Sequence, residues 1–317
     1  MNRNELLKKL QESSKIKQVR FPRNMDFMLN NQILTIKLHA SDLVKNMQTD
    51  SASFEGWAIV LKYYLPEISR VVIDWENVEP QKLKNGNASA EQLHYNRFLF
   101  RLAKFIETYQ WASVKTGKNV PIIPNGLLCN YPTGESKSIF DHEKKLKESD
   151  KKISNDEYYL ECDYVRRKKD EYDVMNHQLP VGLFVNKVSA RVGNAYTTGR
   201  KGAIDIWAIK DSTFYLFELK KPDNKKIGII SELMFYTNVI AGLMSHEIMY
   251  DIDKVDENYR GFMDLYNAYK NNSIKRINAI MLTDNLHPLI NDKIIDFINE
   301  SNRWKELNVY FSRKTTK

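Results

Sequence analysis

Two cysteines in 317 residues, Cys129 and Cys162, are too few and too far apart for a disulfide framework, a CxxC pair or a zinc ribbon. They suit a reducing compartment, where a buried thiol behaves as a small apolar side chain. No apolar run approaches the ~18 residues of a membrane helix. The first ten residues, Met1 to Leu10, lack the continuous apolar stretch of a signal peptide, so a cytoplasmic protein with no membrane partner is expected. Common phosphate-binding and hydrolase motifs are missing as well. Gly193 and Gly199 fit neither GxGxxG nor GxxxxGK[ST], His246-Glu247 is not continued to HExxH, and no GxSxG elbow occurs.

What remains is a chain rich enough in apolar residues, 42%, to bury a sizeable core, and long enough for one large domain or two ordinary ones. The formal charge of +8 (48 Lys and Arg against 40 Asp and Glu) suits a polyanionic partner and equally an ordinary soluble basic protein, since charge speaks to association and not to fold or chemistry.

Along the first 135 residues the pattern is mixed α/β. An amphipathic helix is expected over 1–16, a strand over Ile33–Leu38, and a helix over Phe54–Leu65 ending at Pro66. A buried strand follows at Arg70–Trp75, and then a long helix over Glu91–Tyr109 with Leu93, Phe98, Leu102, Phe105 and Ile106 inward. Nothing in this region carries assignable chemistry, so 1–135 reads as an accessory α/β region.

Between Asn130 and Asp170 the composition changes. Lys144, Lys145, Lys147, Lys151 and Lys152 alternate with Glu143, Glu148, Asp150 and Asp156, which reads as a solvated face or linker. The tighter cluster Arg166, Arg167, Lys168 and Lys169, with Tyr158, Tyr159, Tyr164 and Tyr172 interleaved, suits phosphates and exposed bases.

The C-terminal part is more regular. Strands over 202–209 and 214–220 are joined by a turn at Lys210–Ser212, and a helix runs over 227–244. Another strand lies at 277–283, a helix near 288–300 and a last strand at 307–311. Two of these strands carry acids inside greasy runs: Asp205 in Ala203–Ile209, and Glu218 in Phe214–Lys220. An ionised carboxylate in a covered strand is costly unless it is paired or bound to a cation. Side chains alternate along a strand, so Glu218 and Lys220 share a face and a hairpin brings Asp205 beside them. Two carboxylates and an ammonium converge. That set suits phosphodiester hydrolysis, because Mg²⁺ takes one or two protein carboxylates and completes its shell with water and phosphate oxygens.

Asp on one strand of a hairpin, Glu-x-Lys on the next and then a helix resemble the PD-(D/E)XK nuclease superfamily. Ile204 stands where the naming proline would be. The resemblance covers roughly 155–317 and implies a mixed-sheet core of αβββαβ topology, within a 136–317 nuclease domain. By position it implies Asp205 and Glu218 as metal ligands and Lys220 as the catalytic lysine, with Mg²⁺ or Mn²⁺ as cofactor. Exonuclease-like members carry Gln-x-x-x-Tyr in the following helix, where this chain has Glu232 and Tyr236, stacked four apart on one helical face. That match adds Glu232 to the catalytic set and Tyr236 to the nucleic-acid contacts. The superfamily's first helix often supplies another acid, for which Glu157, Glu161 and Glu171 are candidates. The loop before Asp205, with Arg200 and Lys201, would sit at the rim with donors for phosphate. The expected substrate is nucleic acid, DNA favoured over RNA. Rival readings are an inactive module of this fold that binds nucleic acid or protein, an RNase of the same fold, and a small-molecule enzyme with a buried ion pair in the hairpin.

Overall fold

The computed structural model describes residues 1–47, 49–80, 88–132, 157–189, 192–198, 202–252, 258–302, 304 and 307–316. In chain order the first half holds α1 (Arg3–Ser14), β1 (Met25–Asn30), β2 (Ile33–Leu38), α2 (Ala40–Leu43), α3 (Phe54–Tyr64), β3 (Arg70–Trp75), α4 (Ala90–Thr108), β4 (Ala112–Val114) and β5 (Leu127–Cys129). Next come α5 (Glu157–Lys168), β6 (Val174–Pro180), β7 (Leu183–Phe184), β8 (Ala203–Lys210) and β9 (Thr213–Leu219). The chain continues with α6 (Gly228–Met244), β10 (Ile248–Tyr250), α7 (Phe262–Lys270), β11 (Arg276–Leu282), α8 (Asp292–Ser301) and β12 (Asn308–Lys314). The protein is mixed α/β. No helix of the described residues is long and apolar enough to cross a membrane.

Two compact units are each drawn from separate stretches of chain. Met1–Pro124, Lys225–Phe235 and Leu286–Trp304 form the first; Asn125–Asn224, Tyr236–Asn285 and Lys305–Lys317 form the second. Where the sequence suggests one boundary after residue 135, the units are thus discontinuous, and α6 contributes residues to both. Long-range polar contacts recruit the two late segments into the first unit. The Ile227 N–H donates to Asp50 Oδ1 at 3.2 Å, Ser231 Oγ donates to Glu55 Oε2 at 2.8 Å, and Asn291 Nδ2 donates to the Tyr64 hydroxyl at 3.1 Å.

In the first unit the sheet order is β1-β2-β3-β4. β1 and β2 form a hairpin whose two turn residues, Asn31 and Gln32, both have positive φ, the conformation that matches strand twist in two-residue turns. β2, β3 and β4 are parallel, and α3 and α4 make the crossovers that parallel pairing needs. Every residue of α3 from Phe54 to Leu61 is buried, Glu55 among them. α4 begins where the Ser89 side chain accepts the Gln92 N–H.

The second unit is built on a five-stranded sheet, β12-β11-β9-β8-β6, with a small sheet β10-β5-β7 beside it in the same unit. β6, β8 and β9 are antiparallel to their neighbours, whereas β11 and β12 run parallel to β9. Tyr164 and Val165 of α5 join Ile206, Ala208, Phe217, Leu219, Ile280 and Leu282 in one buried cluster. The β8–β9 turn is the two-residue link Asp211-Ser212, with Asp211 at φ 53. β12 extends past the expected 307–311 to Lys314, held by parallel pairing with β11. β6 has no counterpart in the sequence reading. Its buried set, Met175, His177 and Leu179, includes a histidine, and Asn176, Gln178 and Pro180 lie between. Such a strand carries no clean apolar alternation.

Candidate active site

The β8–β9 ladder sets the site. Ile206 lies opposite Phe217, and the next residues outward on the two strands are Asp205 and Glu218. The Leu219 N–H donates to Asp205 Oδ2 at 2.8 Å, which fixes that carboxylate against the neighbouring strand. Glu218 is 1% exposed and Lys220 7%; the Lys220 ammonium donates to Glu218 Oε1 at 2.5 Å. The Lys220 N–H donates to the Leu282 carbonyl at 3.0 Å, so the residue after β9 is still tied to β11. Alternation puts Leu219 on the opposite side from Glu218 and Lys220, and it joins the α5 cluster there. Asp205, Glu218 and Lys220 thus lie at one end of one hairpin.

α5 brings a further acid. Glu157 and Glu161 stand one turn apart on this helix. Glu157 Oε1 accepts the Lys221 N–H at 3.4 Å. Glu161 is buried, and its carboxyl is pushed up to about 9, first by burial and then by the negative charge of Asp205; Gln178 and Lys220 act against the rise. Gln178 Nε2 donates to Glu161 Oε2 at 2.7 Å, and His177 Nδ1 lies 4.0 Å from the same oxygen. Burial and then the Glu161 charge raise the Cys162 thiol to about 11, so this cysteine is an inert neighbour and not a nucleophile. Of the three acids proposed for the first helix, Glu161 and Glu157 are at the hairpin. Glu171 is exposed at the other end of α5, where it pairs with Lys168 at 2.8 Å.

The donor chemistry fits a hard divalent cation: Asp205 and Glu218 offer carboxylate oxygens from adjacent strands, and Glu161 brings a third carboxyl group beside Asp205. Among the described residues no group of three or more His, Cys, Asp and Glu side chains is arranged to hold a metal by itself. Mg²⁺ commonly uses one or two protein carboxylates and draws its other oxygens from water and substrate.

The expected basic cluster falls elsewhere. The Arg166–Lys169 cluster ends α5, and there Arg166 and Arg167 pair with Asp163 at 2.5 and 2.9 Å. Lys210, at the end of β8 away from Asp205, donates to the Glu171 carbonyl at 2.9 Å. That end of the strand is roughly 17 Å from Asp205, at about 3.3 Å per residue. The basic cluster therefore sits at the far end of the hairpin from the carboxylates, where Asp163 and Glu171 offset part of its charge. Glu232 is 1% exposed, which excludes an exposed-helix role; it belongs to the first unit, and Tyr236, also buried, to the second. The site described here rests on second-unit residues alone. Arg200 and Lys201, and the lysines from 144 to 152, lie outside the described residues. Gln178 and His177 escaped the sequence reading because β6 itself did.

No family model, curated protein or solved structure matches the chain.

Proposed function

We propose that the protein is a metal-dependent nuclease of the PD-(D/E)XK type that hydrolyses phosphodiester bonds, DNA favoured, with Mg²⁺ or Mn²⁺. The observation that carries this reading is the meeting of Asp205, Glu218 and Lys220 at one end of the β8–β9 hairpin, with Glu161 beside Asp205. The element order adds support: with β7 and β10, which belong to the small sheet, and α7 set aside as insertions, α5, β6, β8, β9, α6 and β11 follow as helix, three strands, helix, strand, the αβββαβ order of that superfamily.

In this reading Asp205 and Glu218 hold the ion. A bound divalent ion supplies a Lewis acid and lowers the pKa of a coordinated water. Lys220, a compact ammonium held against Glu218, would position an attacking water or offset charge that gathers on the phosphate. The Leu219 N–H keeps Asp205 turned to the site, so its orientation is set before substrate arrives.

The test uses near-isosteric variants, which keep the side-chain volume and remove only charge: Asp205→Asn, Glu218→Gln and Lys220→Met. Single- and double-stranded DNA and RNA are incubated with the full chain in Mg²⁺, Mn²⁺ or EDTA. Cleavage is expected with metal only, and each variant is expected to fall to background. Undiminished cleavage by Glu218→Gln and Lys220→Met, or no metal-dependent cleavage of any nucleic acid by the wild type, overturns the assignment.

A further inference from the structure

β6 is interrupted beside the site. It pairs with β8 from Val174 opposite Ile209 to His177 opposite Ile206, and again from Leu179 opposite Ile204 to Pro180 opposite Ala203. Gln178 falls in the gap, at the level of Asp205, with φ 54. A left-handed backbone is unfavourable for a residue with a side chain, and for glutamine in the middle of a strand it persists only where surrounding contacts over-determine it. Those contacts are identifiable. The Gln178 amide donates to Glu161 Oε2 at 2.7 Å, and its own carbonyl accepts Arg260 Nη1 at 3.3 Å. Arg260 is itself left-handed, at φ 49, and Gly261 follows at φ 71. A Cβ on Gly261 would lie 2.7 Å from Val174 Cγ2, so the Arg260 turn is seated against the start of β6 as closely as glycine permits.

The kink exchanges a regular ladder position for one contact at the candidate centre. We infer that Gln178 is a positioning residue, turned out of the β6 ladder to hold the Glu161 carboxylate beside Asp205 and Lys220, where it supports the cation site. The inference rests on the metal-dependent reading above. Gln178 need not touch the ion or the substrate; it acts through Glu161.

Glycine adopts a left-handed backbone without strain, so Gln178→Gly removes the amide and leaves the kink in place. Mn²⁺ binding to the full chain, measured by calorimetry without nucleic acid, is compared for wild type, Gln178→Gly, Glu161→Gln, the double variant and Asp205→Asn. Partners that orient a metal-site side chain are worth about 10–100-fold in affinity, so Gln178→Gly is expected to weaken Mn²⁺ binding roughly tenfold with its unfolding midpoint unchanged. The double variant is expected to bind no more weakly than Glu161→Gln alone, because a residue that acts through Glu161 has nothing left to position. A merely structural role would lower the midpoint and add to the Glu161→Gln loss. Gln178→Asn, which also tolerates the left-handed backbone but is one methylene short, gives the same comparison if the glycine variant folds poorly. Unchanged Mn²⁺ affinity in Gln178→Gly alongside loss in Asp205→Asn, or additive losses in the double variant, overturns this inference and leaves the metal-site reading standing. A wild type that binds no Mn²⁺, or Asp205→Asn that binds it normally, overturns both.

Discussion

The two units bury charge in opposite ways. In the first, Glu55 and Arg101, 46 residues apart, form a matched pair: Arg101 Nε donates to Glu55 Oε1 at 2.8 Å and Nη2 pairs with Oε2. Neutral groups complete it, since Ser231 Oγ donates to the carboxylate and Arg101 Nη2 to the Ala52 carbonyl, each at 2.8 Å. One anion meets one cation, and the network closes. In the second unit, among the described residues, Lys220 pairs with Glu218 while Glu161 and Asp205 crowd one another, and the crowding shows in the raised Glu161 carboxyl. A balanced buried pair is what a stable core tolerates. A surplus of one sign costs stability in the absence of a counter-ion, and such surpluses mark sites that bind one.

Removing charge from the surplus should therefore cost function first. Glu218→Gln is expected to lower metal-dependent cleavage by about 10³-fold, the scale of several kcal/mol of transition-state stabilisation, with little change in unfolding midpoint. Cleavage assays beside thermal melts check it, and a lower midpoint with full cleavage would place Glu218 among the structural pairs.

Breaking the balanced pair should do the reverse. Arg101→Met leaves Glu55 buried with its countercharge gone, and a loss of about 3–5 kcal/mol is expected in chemical denaturation. A loss under about 1 kcal/mol would mean that the pair is not the closed network its geometry describes.

A pH series sharpens the comparison. The raised Glu161 carboxyl keeps its proton in the folded state over a range where the unfolded chain has lost it, from about 4.5 to about 9. In that window the folded state binds more protons, so stability falls as pH rises. Glu161→Gln removes this dependence. In EDTA its melting temperature should gain steadily on the wild type from pH 4.5 to 9 and hold the gain above that. A constant difference across the series would show that Glu161 does not carry the strain. The smallest effect belongs to the exposed cluster at the far end of α5: Arg166→Gln should change stability by no more than about 0.5 kcal/mol, because exposed ion pairs contribute little. Circular-dichroism melts of this variant give the baseline for the other three.

Much of the candidate site was legible because hairpins are local. Apolar runs at 203–209 and 214–219, with a turn between, place Asp205 against Glu218 by strand period alone, and the period also sets Lys220 beside Glu218. β6 was not legible, since His177 is buried where an apolar residue is expected, which leaves only Met175 and Leu179 as its apolar inward positions. The choice among Glu157, Glu161 and Glu171 was equally out of reach. Helical spacing groups the first two but gives no reason to set the third apart, until the packing of α5 leaves Glu171 at the wrong end. Charge density made Arg166–Lys169 look like a binding surface, while the structure matches Arg166 and Arg167 to Asp163, and Lys168 to Glu171, within a few residues.

By itself the sequence determined the elements whose cause is short-range: the strand pair that carries Asp205 and Glu218, the helices at 54–64 and 90–108, and the turn at 211–212. Backbone hydrogen bonding and side-chain period act over a few residues, so a linear reading captures them. Tertiary structure alone decided that Glu161 comes beside Asp205, that Gln178 turns out of its strand to meet it, and that segments 225–235 and 286–304 join the N-terminal unit. Each of these depends on which buried polar group finds a partner far along the chain. That partner is chosen by the desolvation cost of leaving the group unmatched, a quantity with no local pattern to announce it.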